Sequence, residues 1–131
     1  MPKVVLVHPQ IPPNTGNIAR TCAATDTELH LVGPLGFDIS DRYLKRAGLD
    51  YWPFVKLQYH PTLEDFQKFF SQQPGRRIGF STRGECSYIQ FQFHPQDWLL
   101  FGSETVGLSP EVLASCDQTV HIPMAQPGVR S

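Results

Sequence analysis

The chain has 131 residues, 40% of them hydrophobic and 18% charged, with a formal net charge of −1. That balance fits one globular domain over residues 1–131 and excludes a disordered, fibrous or histone-like polypeptide. The longest apolar runs span only a few residues, too short for a membrane helix, and the N-terminus lacks the layout of a secretory signal. Cys22, Cys86 and Cys116 stand far apart with no Cys-x-x-Cys pair, which argues against a disulfide framework or zinc site and for a reducing, cytoplasmic setting.

Residues 3–8, a β-branched apolar run, predict a buried first strand. The proline-rich turn over 9–14 predicts no helix. Asn14 or Thr15 is placed to cap a helix over 16–25. A second strand is expected over 29–33, broken by Pro34 and Gly36. Residues 41–47 suggest a short helix stopped by Gly48. Residues 54–59 alternate at period two, as a half-buried strand does. Thr62 and Asp65 resemble a capping box ahead of a helix whose Leu63, Phe66, Phe69 and Phe70 share one face. Further strands are expected over 77–81, 98–102 and 120–123, with an irregular stretch over 82–97. Ser109 and Pro110 open another helix. Strands alternating with helices predict an α/β fold: a mostly parallel sheet with helices on both faces.

Charge is uneven. Residues 1–96 carry ten basic and eight acidic side chains, and residues 97–131 carry one and four. Two basic clusters, Arg42, Lys45 and Arg46, then Arg76, Arg77 and Arg83, are candidate phosphate contacts. Several chemistries find no support: there is no Gly-x-Gly-x-x-Gly after a strand, no Walker loop, no Gly-x-Ser-x-Gly and no metal-ligand spacing among the histidines. His8, His30, His60, His94 and His121 therefore read as surface or packing residues, and no metal is expected.

Polar and glycine residues do gather where strands end, the place ligands occupy in open α/β sheets. After the first strand comes Ile11-Pro12-Pro13-Asn14-Thr15-Gly16-Asn17-Ile18-Ala19-Arg20, where the helix start is expected to offer amides to an anion. After the 98–102 strand comes Gly102-Ser103-Glu104-Thr105-Val106-Gly107. His121-Ile122-Pro123-Met124 follows near Arg130 and Ser131. Each has a plain alternative as a capped helix, a strand turn or packing.

Together these segments resemble the three motifs of the SPOUT methyltransferases, SpoU branch. Within that branch the chain is similar to the small TrmL-like (YibK-like) tRNA ribose 2′-O-methyltransferases. Pro12 to Arg20 resembles motif one, Phe101 to Leu108 motif two, and Ile122 to Met124 with Arg130 and Ser131 the opening of motif three. Arg46-Ala47-Gly48-Leu49-Asp50-Tyr51 is similar to a segment of the TrmL-like group. The resemblance implies a C-terminal trefoil knot, S-adenosylmethionine as cofactor and a homodimer whose active sites are completed near the interface. It implies tRNA as partner, with methylation of the wobble nucleotide. By position it assigns cofactor contacts to Phe80, Gly102, Ile122 and Ser131, and a central role to Arg20, with Asn14 shaping its loop and Glu104 the crevice. Arginine stays protonated in proteins, so Arg20 is expected to position and stabilise rather than take a proton. The basic clusters would hold the tRNA backbone.

Two alternatives belong to other classes. Thr15-Gly16-Asn17 after the first strand is similar to the phosphate loop of flavodoxin-like flavin carriers. A catalytically inactive RNA-binding or dimerisation module would keep the fold without the chemistry. Members of the resembled family continue past the Arg-Ser pair with a final helix. Lacking that C-terminal segment, this form is expected to leave the knot incomplete, to bind S-adenosylmethionine poorly and to dimerise weakly.

Overall fold

The computed structural model describes residues 1–38 and 54–122. The expected 41–47 helix, the Arg42–Arg46 cluster, the 46–51 segment, Pro123, Met124, Arg130 and Ser131 lie outside them.

Seven strands run in chain order: β1 Lys3–Val7, β2 Leu29–Val32, β3 Leu57–His60, β4 Arg77–Phe80, β5 Cys86–Ser87, β6 Trp98–Phe101 and β7 Gln118–His121. They form one sheet ordered β3-β2-β1-β6-β4-β7-β5, and every strand pairing is parallel. Parallel order requires crossovers, and helices α1 Pro12–Ala24, α2 Leu63–Phe70 and α3 Pro110–Ser115 supply those from β1 to β2, from β3 to β4 and from β6 to β7. The side chains of β1 alternate between the two layers. Val5 and Val7 pack in a cluster with Phe66 of α2 and Val112 of α3. Leu6 packs with Ala19 and Cys22 of α1. Helices thus cover both faces, as the alternation of elements predicts.

Two helices start as expected. The Thr62 hydroxyl accepts from the Asp65 amide at 3.1 Å and donates to its carboxylate at 2.9 Å. Ser109 Oγ accepts from the Val112 amide at 3.2 Å. Helix α1 differs: it begins at Pro12, ahead of the expected residue 16, with Ile11 as an extended N-cap that makes no side-chain cap bond. Proline is tolerated in the first turn because its missing N–H would have had no helical partner there. Asn14 and Thr15 therefore lie inside the helix and cap nothing. Strand β5 lies in the stretch expected to be irregular. Its two residues pair with Val120 and His121 of β7, leaving β7 flanked by β4 and β5. The path beyond Ile122, on which a knot depends, lies outside the described residues.

Beneath α2, His30 and His60 are both buried. His30 Nδ1 lies 3.0 Å from His60 Nε2, and His30 Nε2 lies 3.4 Å from a Glu28 carboxylate oxygen. A carboxylate only accepts, so His30 carries its proton on Nε2 and accepts from His60 Nε2–H. Phe66, Phe69 and Trp98 surround the pair, with ring centroids 5.0–5.7 Å away. Both histidines are packing residues, as their spacing suggests.

Candidate functional site

The carboxyl ends of β1, β6, β4 and β7 open into a cleft of about 560 Å³. Asn14, Thr15 and Ile18 of α1 form one wall. Phe80, Ser81, Thr82 and Ile122 form the other, and Phe101 with the 102–108 loop completes the lining. The Phe101 and Phe80 rings stack with centroids 4.4 Å apart, giving the cleft a flat aromatic surface. Of the expected site residues, the fold brings together Asn14, Glu104, Phe80, Gly102 and Ile122.

The 102–108 loop is tight. Gly107 N–H donates to the Ser103 carbonyl at 2.9 Å, and Val106 N–H to Ser103 Oγ at 3.1 Å. A Cβ on Gly102 would overlap the backbone of Gly107 and Leu108, so the loop itself demands glycine there. Gly107 has φ +78°, a left-handed conformation in which glycine carries no steric cost.

Glu104 joins this loop to motif one across the sheet. One carboxylate oxygen accepts from the Gln10 amide at 2.9 Å and the other from the Ile11 amide at 3.0 Å. The prolines at 12 and 13 have no N–H, so the start of α1 can be capped only just upstream, and a carboxylate at the positive end of the helix dipole does this well. Two expectations are corrected by this arrangement. The start of α1 does not offer free amides to an anion: Gln10 and Ile11 donate to Glu104, while Asn14 and Thr15 donate to the Ile11 carbonyl at 3.2 and 3.3 Å. The flavin-phosphate alternative, which needs those amides, loses its basis. The clamp was illegible in sequence because its partners lie more than ninety positions apart; the paired prolines were the one hint that a cap had to come from elsewhere.

Arg20 is exposed on α1 and is not among the residues lining the cleft. It lies about 9 Å further along the helix axis than Asn14 and roughly 120° round it. Ser131 lies outside the described residues.

The second basic cluster divides. Arg83 is exposed just after the Ser81–Thr82 wall. Arg76 and Arg77 stand at the opposite, amino end of β4, contrary to a shared role at the cleft. The Arg76 guanidinium forks onto the fully buried Asp97 carboxylate, with bonds of 2.9 and 2.8 Å. The His94 amide donates to Asp97 as well, at 2.8 Å. Burial alone would raise the Asp97 carboxyl, but the Arg76 fork and the His94 amide outweigh it and hold it below the usual carboxylate range. The Arg77 guanidinium lies over the Phe70 ring, 4.6 Å from its centroid.

Among the described residues no group of His, Cys, Asp and Glu could hold a metal ion, and no helix is long and apolar enough to cross a membrane. The Cys22 and Cys116 thiols are both pushed up to about 11 by burial, so neither supplies a nucleophile near neutral pH.

Known proteins resemble this chain in sequence and fold. A family model described as the SpoU rRNA Methylase family matches residues 1–131. A Synechocystis sp. protein, provisionally named a tRNA (cytidine(34)-2′-O)-methyltransferase, is 56% identical over 131 residues, spanning 100% of this chain and 86% of the relative. A structure solved for insight into the 2′-OH methylation of C/U34 on tRNA superposes with a TM-score of 0.89 at 50% identity, covering 98% of this chain and 83% of that one. The SpoU methyltransferase AviRb from Streptomyces viridochromogenes, in complex with the cofactor AdoMet, superposes with a TM-score of 0.88 at 27% identity, covering 98% and 51%.

Proposed function

The chain belongs to the SpoU rRNA methylase family, and on that premise we propose that it methylates the 2′-hydroxyl of a tRNA ribose, at the wobble nucleotide of the anticodon, with S-adenosylmethionine as methyl donor. The observation that carries this reading is the cleft, in which Glu104 ties the motif-one helix to the motif-two loop at the carboxyl end of the sheet.

The cleft suits the cofactor. Its volume lies within the roughly 300–1,000 Å³ of small-molecule sites. It offers an aromatic surface at Phe80 and Phe101. Phe80, Gly102, Ile122 and Ser131 would hold the cofactor. When bound, it supplies an electrophilic methyl group on a sulfonium sulfur. The chain has two tasks: to place the ribose oxygen within about 3 Å of that carbon, in line with the breaking bond, and to let the hydroxyl proton depart. Arg20 suits the first. Its guanidinium fork can hold a phosphate and a ribose oxygen together without losing its charge. Both oxygens of Glu104 receive backbone amides. It acts as a positioning residue, and Asn14 shapes the cleft wall that Glu104 anchors.

Arg20 stands round the helix from the cleft, an arrangement that suits a homodimer in which a second copy completes each site. Residues 1–131 act as one methyltransferase domain, in the cytoplasm where tRNA is processed. Arg83 lies on the side where RNA would approach. The test is methyl transfer to tRNA from a strain lacking the modification. With a chain that carries the family's C-terminal segment, wild type transfers one methyl group per tRNA, and Arg20→Ala loses transfer by about two orders of magnitude while melting at the same temperature. Full activity in Arg20→Ala would overturn its role.

A further inference from the structure

Thr15 is 1% exposed and lines the cleft, yet its hydroxyl oxygen is shielded and has no hydrogen-bond partner. A helical threonine ordinarily satisfies its hydroxyl on the carbonyl one turn earlier. Here that carbonyl is Ile11, whose oxygen already accepts from the amides of both Asn14 and Thr15. A carbonyl has two lone pairs, so this acceptor is taken. Leu6 and Ile18 line the cleft with Thr15, and Ala19 is buried one turn on. Valine would fill this site with the same shape and no polar group to desolvate. Threonine in a helix has two accessible χ1 wells, so the hydroxyl can swing toward the cleft with the backbone unmoved.

We propose that Thr15 is a substrate-binding residue: its hydroxyl turns into the cleft and hydrogen-bonds a ribose oxygen of the bound nucleotide, beside Asn14 and across β6 from the Phe80–Ile122 wall. This rests on the cleft being the site of ribose methylation. A purely structural threonine and a substrate-binding one differ in the sign of two effects. Replacing an unpaired buried hydroxyl with a methyl stabilises the free protein, whereas losing a contact made only to substrate weakens substrate binding.

The experiment uses the full chain with Thr15→Val and Thr15→Ser, read by melting temperature, S-adenosylmethionine binding by calorimetry, and direct binding of unmodified tRNA. Thr15→Val is expected to melt about 3 °C higher, to bind S-adenosylmethionine as wild type does, and to bind tRNA roughly tenfold more weakly. Thr15→Ser restores tRNA binding. A lower melting temperature, unchanged tRNA binding or a loss confined to S-adenosylmethionine would each overturn the proposal. A wild type that binds tRNA but transfers no methyl group would instead overturn the reading of the reaction, and the Thr15 comparison would still be decided by tRNA binding.

Discussion

The two ends of the sheet each hold a carboxylate on backbone amides, and they use it differently. At the amino end, Asp97 is fully buried, forked by Arg76 and capped by the His94 amide. Both of its oxygens accept hydrogen bonds from within the same end of the sheet. At the carboxyl end, Glu104 is half-buried and holds two amides of a distant segment, leaving a cleft beside it and an unpaired threonine hydroxyl in its wall. A closed polar network stabilises a fold; an open one positions a loop and leaves groups for a ligand.

Substitutions should split along this line. Glu104→Ala releases the Gln10 and Ile11 amides and lets the motif-one wall drift. It is expected to lower kcat/KM about a hundredfold with a small change in melting temperature. Glu104→Gln keeps one acceptor oxygen and should fall between. Equal losses in the two variants would point instead to a proton-transfer role. Arg76→Ala has the opposite profile. It strands a buried carboxylate and is expected to cost about 3 kcal/mol by urea denaturation, the low end for a broken buried pair because the Arg76 side chain is 32% exposed. Activity per folded molecule should not change.

A third effect arises beneath α2. Burial, then the neighbouring His60, pushes His30 down to about 4, and burial pushes His60 down too. Both are neutral in the folded chain, whereas an unfolded histidine takes a proton near 6.5. Unfolding therefore takes up protons between those values, and stability falls as pH drops from about 6.5 toward 4. Melting temperatures across that window should decline in wild type and decline less in His60→Gln; a flat wild-type profile would contradict the neutral pair. The smallest effect concerns RNA. Arg83→Ala should weaken tRNA binding and reduce its salt dependence by about one phosphate contact. Arg77→Ala, at the far end of the sheet, should leave both unchanged.

Much of the fold was legible in sequence because its elements carry local signals. Thr62 with Asp65, Ser109 with Pro110, and the apolar runs of β1 and β6 each name their own structure. The start of α1 was misread because Pro12 and Pro13 look like helix breakers, yet they fit the first turn. Strand β5 was missed because two residues carry no period, and only β7 makes them a strand. The strand order and the His30–His60 pair depend on contacts between distant segments, which local patterns do not encode. The cleft residues were legible through a resemblance of motifs. The Glu104 clamp and the Thr15 hydroxyl were not, since each is defined by what surrounds it.

Ribose methylation within the cleft leaves a direct chemical trace on the RNA. The most direct measurement supplies S-adenosylmethionine carrying a labelled methyl group to the purified chain with unmodified tRNA, digests the RNA and identifies the labelled nucleotide. One 2′-O-methylated nucleotide is expected, at the first anticodon position. Label on a base, or spread over many riboses, would contradict it.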